Sequence, residues 1–218
     1  MIETGKVSAQ ILRPRRAGSG NNATLILALA FLASALLPLA VRAEDPPNPV
    51  CTACHNEDGN SVVPDYPKIA GLDVAYFTKQ IADFKKFKRV SEIMGPIATQ
   101  IADSEIELLA AYYSKQKRIS GVVTDQNLAA KGLMIYAEGI VDNAVPACGG
   151  CHGEKGEGAN NFPRLAGQHA SYTNTQLLNF KNQVRNNDAR KVMRAIAMRM
   201  TEQDMQAVSE YITSLKGE

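Results

Sequence analysis

The sequence predicts an all-α fold in which two helical domains follow one another along the chain. The pattern Cys-x-x-Cys-His occurs twice, at Cys51–His55 and at Cys148–His152, and these two motifs contain all four cysteines. The residues that follow each motif recur in the same order in both halves. Apolar residues repeat at helical spacing, and no useful stretch alternates apolar and polar residues as a half-buried strand would.

The N-terminal segment has the layout of an export signal. Residues 23–41 are almost wholly apolar after a basic start, and residues 41–43 (Val-Arg-Ala) offer the small residues of a cleavage site. We therefore expect residues 1–43 to be a signal peptide that is cleaved after Ala43. The alternative is an uncleaved membrane anchor, because an apolar run of about 20 residues can span a bilayer. In both cases residues 44–218 would face an oxidising compartment, the periplasm.

The remaining chain is close to neutral and poor in aromatic residues. Without residues 1–43 it has 19 basic and 21 acidic residues, and the whole chain has no tryptophan. Such a charge balance argues against nucleic acid as a partner. A core with so few aromatic side chains is modest, so a large planar cofactor in each domain would supply the missing apolar bulk.

Each Cys-x-x-Cys-His motif is suited to the covalent attachment of a haem. Two thiols at this spacing can add to the two vinyl groups of a haem, and the adjacent imidazole can reach the iron. The predicted attachment residues are Cys51, Cys54, Cys148 and Cys151, and the predicted iron ligands are His55 and His152. A zinc site is the first alternative, but its cysteine pairs usually lie about 12–20 residues apart. The second is a thioredoxin-like redox pair, for which the surrounding βαβ pattern is missing.

The internal repeat extends well beyond the two motifs. Matching positions include Pro67 and Pro163, Gly71 and Gly167, Tyr76 and Tyr172, Gln80 and Gln176, Phe84 and Phe180, and Met94 and Met193. Two copies of one order of motifs indicate a tandem duplication into small domains. We expect a first domain over residues 44–118, a linker over 119–124 and a second domain over 125–218.

Helix signals recur along both halves. Val74, Phe77, Ile81 and Phe84 form one apolar stripe. Asp103 or Ser104 is predicted to cap the next helix, which carries Ile106.

The second half has its own helix signals. The spacing predicts a helix over Asn127–Glu138, with Gly132 and Tyr136 packing on the terminal helix. Thr201 and Asp204 resemble a capping box at the start of that terminal helix.

Methionines are the candidates for the second axial ligand of each iron. A thioether is a soft ligand without a proton to titrate, and it would close the iron to substrates. Met94 is the sole methionine between His55 and the linker. In the second half, the repeat places Met193 on Met94 and leaves Met198 as the alternative ligand. Met200 and Met205 are predicted to be core residues.

Two further groups of residues complete the predicted site. Pro67 and Pro163 follow their histidines by 12 and 11 residues. Each is either an ordinary turn proline or the source of a carbonyl that accepts from the histidine Nδ1–H and fixes its tautomer. His169 aligns with Asp73, and we expect it to be a surface residue near a helix start rather than a ligand.

Together these motifs resemble the dihaem cytochrome c4 family over residues 50–216. The resemblance implies two tandem class I cytochrome c domains, each enclosing one covalently bound haem c. It implies His/Met ligation of both irons: Cys51, Cys54, His55 and Met94 for the first haem, Cys148, Cys151, His152 and Met193 for the second, with the carbonyls of Pro67 and Pro163 orienting the histidines.

The same resemblance implies a periplasmic electron carrier rather than an enzyme. Its expected partners are a quinol-oxidising complex, a terminal oxidase or a copper protein, with possible loose membrane association. One alternative is an electron-transfer subunit of a larger dehydrogenase such as a flavocytochrome. A dihaem peroxidase is the other, and it would need one iron that can open.

The first half departs from the second in two ways. It has no matching lead-in helix before its haem motif, and its methionine loop is three residues shorter. We therefore predict that the two haem pockets differ in solvent access and in reduction potential, with the first haem the more exposed.

Overall fold

The computed structural model describes residues 48–158 and 162–216, which form one compact unit. The predicted signal peptide and most of the segment that leads into the first motif lie outside the described residues. The described chain is helical and has no strand, and Ile140 forms an isolated bridge with Val145. Within these residues, no helix has the length and apolar character needed to cross a membrane.

The order of helices repeats in the two halves. The first half contains α1 (Pro49–His55), α2 (Val74–Lys85), α3 (Met94–Gln100) and α4 (Asp103–Ser114), and the second contains α5 (Gln126–Glu138), α6 (Gly149–His152), α7 (Ala170–Lys181), α8 (Val192–Ala197) and α9 (Glu202–Ser214). Short 3₁₀ turns occupy Val141–Asn143 and Ala189–Lys191.

The core of the first half lies where α2 packs on α3 and α4. Phe77, Ile81 and Phe84 are buried there beside Tyr113, as the apolar stripe predicts. Val74, the first residue of α2, is wrongly included in that stripe, because it is 40% exposed.

The predicted cap of α4 is also wrong. The helix already begins at Asp103, and Ala102 occupies the N-cap position. The Glu105 carboxylate reaches back and accepts from the Ala102 N–H at 2.9 Å, so a polar cap side chain is not needed. Asp103 instead pairs with the Lys85 ammonium.

The core of the second half depends on close contact between α5 and α9. A Cβ atom added to Gly132 would lie 2.0 Å from the Ala207 carbonyl oxygen, so this crossing has room for glycine alone. The rings of Tyr136 and Tyr211 pack beside it with centroids 5.4 Å apart. The predicted packing of Gly132 and Tyr136 on the terminal helix is confirmed.

The N-termini of these two helices are capped by side chains. Asp125 accepts from the N–H groups of Asn127 and Leu128, which starts α5 one residue earlier than predicted. The predicted capping box of α9 is confirmed. Thr201 Oγ1 accepts from the Asp204 N–H at 3.1 Å, and the Asp204 carboxylate accepts from the Thr201 N–H at 3.0 Å.

The predicted linker, residues 119–124, forms hydrogen bonds with the residues around it. Its Gly121 N–H donates to the Thr213 carbonyl at 2.8 Å, and the Ser120 hydroxyl donates to the Leu215 carbonyl at 3.1 Å. Both acceptors lie at the end of α9 or just after it. The Ile119 N–H donates to Asn60 Oδ1 of the first half at 2.9 Å, so the predicted linker is bonded to both halves.

Two buried arginines join the halves reciprocally. Arg89 of the first half donates to Tyr172 Oη and Gln176 Oε1 of the second, both at 2.8 Å. Arg185, its counterpart in the repeat, donates to Tyr76 Oη at 2.9 Å in the opposite direction. Each guanidinium also lies over the phenyl ring of its own half, 4.6 Å from the Phe84 centroid and 4.5 Å from the Phe180 centroid. We call these two residues and their partners the arginine clasp.

A second set of contacts crosses the same interface. The Gln168 side chain accepts from the Lys68 N–H and donates to the Lys68 carbonyl, both at 2.9 Å. His169 Nε2 lies 3.0 Å from both the hydroxyl and the carbonyl oxygen of Ser61. His169 lies at the N-cap of α7, near a helix start as expected, but it is half-buried because it faces the first half. Burial, and then the Lys68 ammonium, lower its pKa.

Candidate haem sites

The first histidine is held in one orientation by a backbone carbonyl. His55 ends α1 and is 7% exposed. Its Nδ1 lies 2.8 Å from the Pro67 carbonyl oxygen. Because a carbonyl can only accept, Nδ1 carries the proton and Nε2 keeps a free lone pair. Burial lowers the pKa of His55, which favours the neutral ring that a metal requires.

The second histidine repeats this arrangement. His152 ends α6 and is 6% exposed, with Nδ1 3.0 Å from the Pro163 carbonyl oxygen. Its ring meets that of Phe162 edge to face, with centroids 5.9 Å apart. Burial likewise lowers the pKa of His152. Both halves thus present one neutral imidazole whose Nε2 is available to a metal.

A glycine turn positions each proline carbonyl, and sequence reasoning missed it. The carbonyl of Gly59 accepts from the N–H groups of Ile69 and Ala70, at 2.8 and 3.1 Å. With φ at +74°, Gly59 has a left-handed backbone, and a Cβ there would lie 2.7 Å from the Ala70 nitrogen.

The second half contains the same turn. Gly156 accepts from Leu165 and Ala166 at 2.8 and 2.9 Å. Its φ is +71°. The repeat itself carries the signal for this turn, because Gly59 and Gly156 both follow their haem motifs by a few residues.

The four cysteines of the two motifs are free thiols. Burial raises the pKa of Cys51, and it raises the pKa of Cys148 to about 11. Cys51 is buried, Cys54 and Cys148 are half-buried, and Cys151 is exposed. The protein therefore covers the first pair of thiols more than the second, and the greater exposure of the first haem stays a prediction.

The predicted methionine ligands occupy equivalent places in the two halves. Met94 is the first residue of α3 rather than part of a loop, and its N–H donates to Ser91 Oγ at 3.0 Å. Met193 is the second residue of α8. Each packs, half-buried, against the core of its own half.

The other methionines of the second half have different surroundings. Met200 and Met205 are 2% and 0% exposed, which confirms that they are core residues. Met198 is 59% exposed.

These residues fit a haem c in each half. Two unbonded thiols stand three positions apart, the histidine that follows them keeps Nε2 free, and a thioether lies on the core of the same half. Cys51, Cys54, His55 and Met94 would hold the first group. The second would be held by Cys148, Cys151, His152 and Met193.

Known proteins resemble this chain in sequence and in fold. The family model described as Cytochrome c matches residues 129–216. Cytochrome c4 of Thiocapsa roseopersicina is 44% identical over 171 residues, which cover 77% of this chain and 88% of that protein. The crystal structure of reduced recombinant cytochrome c4 from Pseudomonas stutzeri superposes with a TM-score of 0.74 at 38% identity, covering 77% of this chain and 94% of that chain. A thiosulfate dehydrogenase electron acceptor of Stutzerimonas stutzeri (strain A1501) is 32% identical over 202 residues, covering 86% of this chain and 94% of that protein.

The similarity covers both halves and both attachment motifs. It confirms the all-α fold of two tandem class I cytochrome c domains and the two covalently attached haems c. It also confirms that the chain is a dihaem electron-transport protein. The chain belongs to the cytochrome c4 family.

Proposed function

We propose that this chain is a periplasmic carrier that passes single electrons from a quinol-oxidising complex, or another donor, to a terminal oxidase or reductase. The observation that carries the proposal is the matched position of Met94 and Met193, each at the start of a short helix and packed on the core of its half. When bound, each haem supplies an iron that can gain or lose one electron.

The chain's own residues would keep each iron closed and its geometry constant. A thioether cannot be displaced by protonation, and it favours the reduced iron. The carbonyls of Pro67 and Pro163 keep the histidine rings in one tautomer and raise the basicity of Nε2. Little would then need to rearrange when an electron arrives or leaves.

The proposed location in the periplasm rests on the N-terminal segment. Residues 1–43 have the layout of a secretory signal. An uncleaved segment would instead anchor the carrier to the membrane. Mass spectrometry of the N-terminus of the purified protein distinguishes the two, because cleavage after Ala43 leaves Glu44 first.

A second candidate is an electron-accepting subunit of a larger dehydrogenase. It is favoured by the relative described as a thiosulfate dehydrogenase electron acceptor, 94% of which the match covers. Stable co-purification with a catalytic subunit would support this candidate, whereas isolation as a separate protein supports the carrier.

Binding of carbon monoxide tests the carrier against a peroxidase. The reduced native protein should not bind carbon monoxide, because both irons would have a methionine on their second face. The Met94→Ala variant should bind it at one haem and serves as the positive control. Binding by the native protein would contradict the proposal and support an enzyme with an open iron.

A further inference from the structure

Three exposed apolar side chains lie in the loop that leads from α2 to α3 in the first domain. The side chains of Phe87, Val90 and Ile93 are 67%, 67% and 53% exposed. A Cβ added to Gly95 would lie 4.0 Å from Phe87 Cε1, so the phenyl ring reaches the backbone next to Met94. We call these three residues the Phe87 patch.

Positive charge borders this patch. Lys86 and Lys88 flank Phe87 in sequence, and both are exposed. Glu92 is the acidic residue within the same loop, and it is exposed as well. An apolar centre with a charged rim is the usual anatomy of a protein–protein contact.

The conformation of Phe87 is unfavourable for such a residue. Its φ is +54°, a left-handed backbone that bulky side chains rarely adopt. It follows the end of α2, where its N–H donates to the Phe84 carbonyl at 3.1 Å. An exposed phenylalanine in this position neither fills the core nor eases the turn.

The second domain builds the same turn without an aromatic residue. Gln183 matches Phe87 in the repeat, has a φ of +60° and donates to the Phe180 carbonyl at 3.2 Å. The repeat also places Asn186 on Val90. The fold therefore does not require the Phe87 patch.

Basic side chains lie at different positions in the two loops: the exposed ones of the second domain are Arg190 and Lys191. Asn182 and Val184 occupy the positions that match Lys86 and Lys88. The two domains thus share the turn that follows α2 and α7 but differ in the surface side chains on it.

We propose that the Phe87 patch is the docking surface for a redox partner whose contact face is apolar at its centre and acidic at its rim. The proposal rests on the proposed carrier function. Aromatic side chains dominate the energetics of such contacts, and redox encounters use small surfaces. A partner seated on Phe87 would lie next to Met94, the predicted ligand of the first iron.

The test uses the holoprotein and a surface of known chemistry. The probe is a gold electrode coated with a mixed monolayer of methyl-terminated and carboxylate-terminated alkanethiols. Cyclic voltammetry gives the rate of electron exchange between this surface and the protein. The Phe87→Gln/Val90→Asn variant introduces the residues that occupy the matching positions of the second domain. Both substituted side chains are exposed, so the core is not altered.

We expect this variant to exchange electrons about tenfold more slowly than the native protein, the loss typical of removing an anchor residue. The matched control, Val184→Asn/Val192→Asn, removes two exposed apolar residues from the equivalent loop of the second domain and should keep the native rate. The Lys86→Asn/Lys88→Val variant should weaken the dependence of the rate on ionic strength.

Two results would overturn the proposal. One is a native rate for Phe87→Gln/Val90→Asn, and the other is an equal loss in the second-domain control. A spectroelectrochemical titration in solution separates this failure from failure of the carrier function. If the native protein and the Phe87→Gln/Val90→Asn variant show the same one-electron titration and the same electrode rate, the docking surface alone is rejected. If the native protein shows no reversible one-electron steps, the carrier function is rejected.

Discussion

Replacing Arg89 with glutamine should open one side of the arginine clasp. Arg89 is 8% exposed, and its guanidinium donates to Gln80, Tyr172 and Gln176 at 2.9, 2.8 and 2.8 Å. The variant keeps a polar side chain but loses the charge and the fork of donors. Tyr172 loses the donor that reaches its hydroxyl, whereas the two glutamines still accept from Arg185.

The expected loss of stability follows from these contacts. A hydrogen bond from a charged donor contributes about 1.5–3 kcal/mol net, and removing one member of a buried charged network costs about 3–5 kcal/mol. The variant no longer has to transfer a charged guanidinium from water into the interior on folding, and this reduces the net loss of stability. We expect the free energy of unfolding to fall by about 3 kcal/mol.

Urea unfolding of the holoprotein, followed by circular dichroism and by haem absorbance, measures this loss. Arg199 is a suitable control, because it is exposed and donates from Nη1 to the Ala144 carbonyl. Arg199→Gln should change stability by less than about 0.5 kcal/mol. Arg89→Gln/Arg185→Gln should differ from the sum of its single variants by about 1 kcal/mol, because both arginines share Gln80 and Gln176 as acceptors.

Two outcomes would refute this reasoning. A loss below about 1 kcal/mol for Arg89→Gln would mean that the clasp contributes little beyond the cost of burying its charge. Additive effects of the two substitutions would mean that the arginines act independently, although they share acceptors.

Three further predictions concern packing, pH and ligation. Gly132→Ala should destabilise the second domain by several kcal/mol, because its Cβ would overlap the Ala207 carbonyl, and thermal unfolding would reveal a lowered Tm. The pKa of His169 is lowered on folding, so the unfolded chain binds a proton first as the pH falls below about 6.5. Acidification should therefore reduce the stability of the native protein relative to that of His169→Asn. A difference in stability that does not change with pH would contradict this. Met193→Ala should convert one haem to a high-spin visible spectrum, whereas Met198→Ala should leave the spectrum unchanged; the reverse result would assign Met198 as the ligand.

Most of the fold was predictable because the two halves of the chain are an internal repeat and can be aligned with each other. Gly132 and the Thr201–Asp204 capping box were recognised from the sequence because each has a specific local role, and the structure confirms both. The register of the repeat separated Met200 and Met205 from the candidate ligands, and their burial agrees with it.

The errors arose where a residue's role depends on a distant partner. Asp103 looked like a helix cap, but Glu105 satisfies the free amide and Lys85 holds Asp103. His169 looked like a surface residue, yet it is half-buried because it faces Ser61 of the first domain. Spacing along the chain does not show which side chain Asp103 or His169 meets in the folded protein.

The reciprocity of the arginine clasp also bears on how the two halves associate. Arg89 reaches Tyr172 while Arg185 reaches Tyr76, so each half offers the other the same residues. This is the geometry of an isologous interface, the kind that two copies of one subunit form around a two-fold axis. Because both halves belong to one chain, their association through this surface is intramolecular and does not depend on protein concentration.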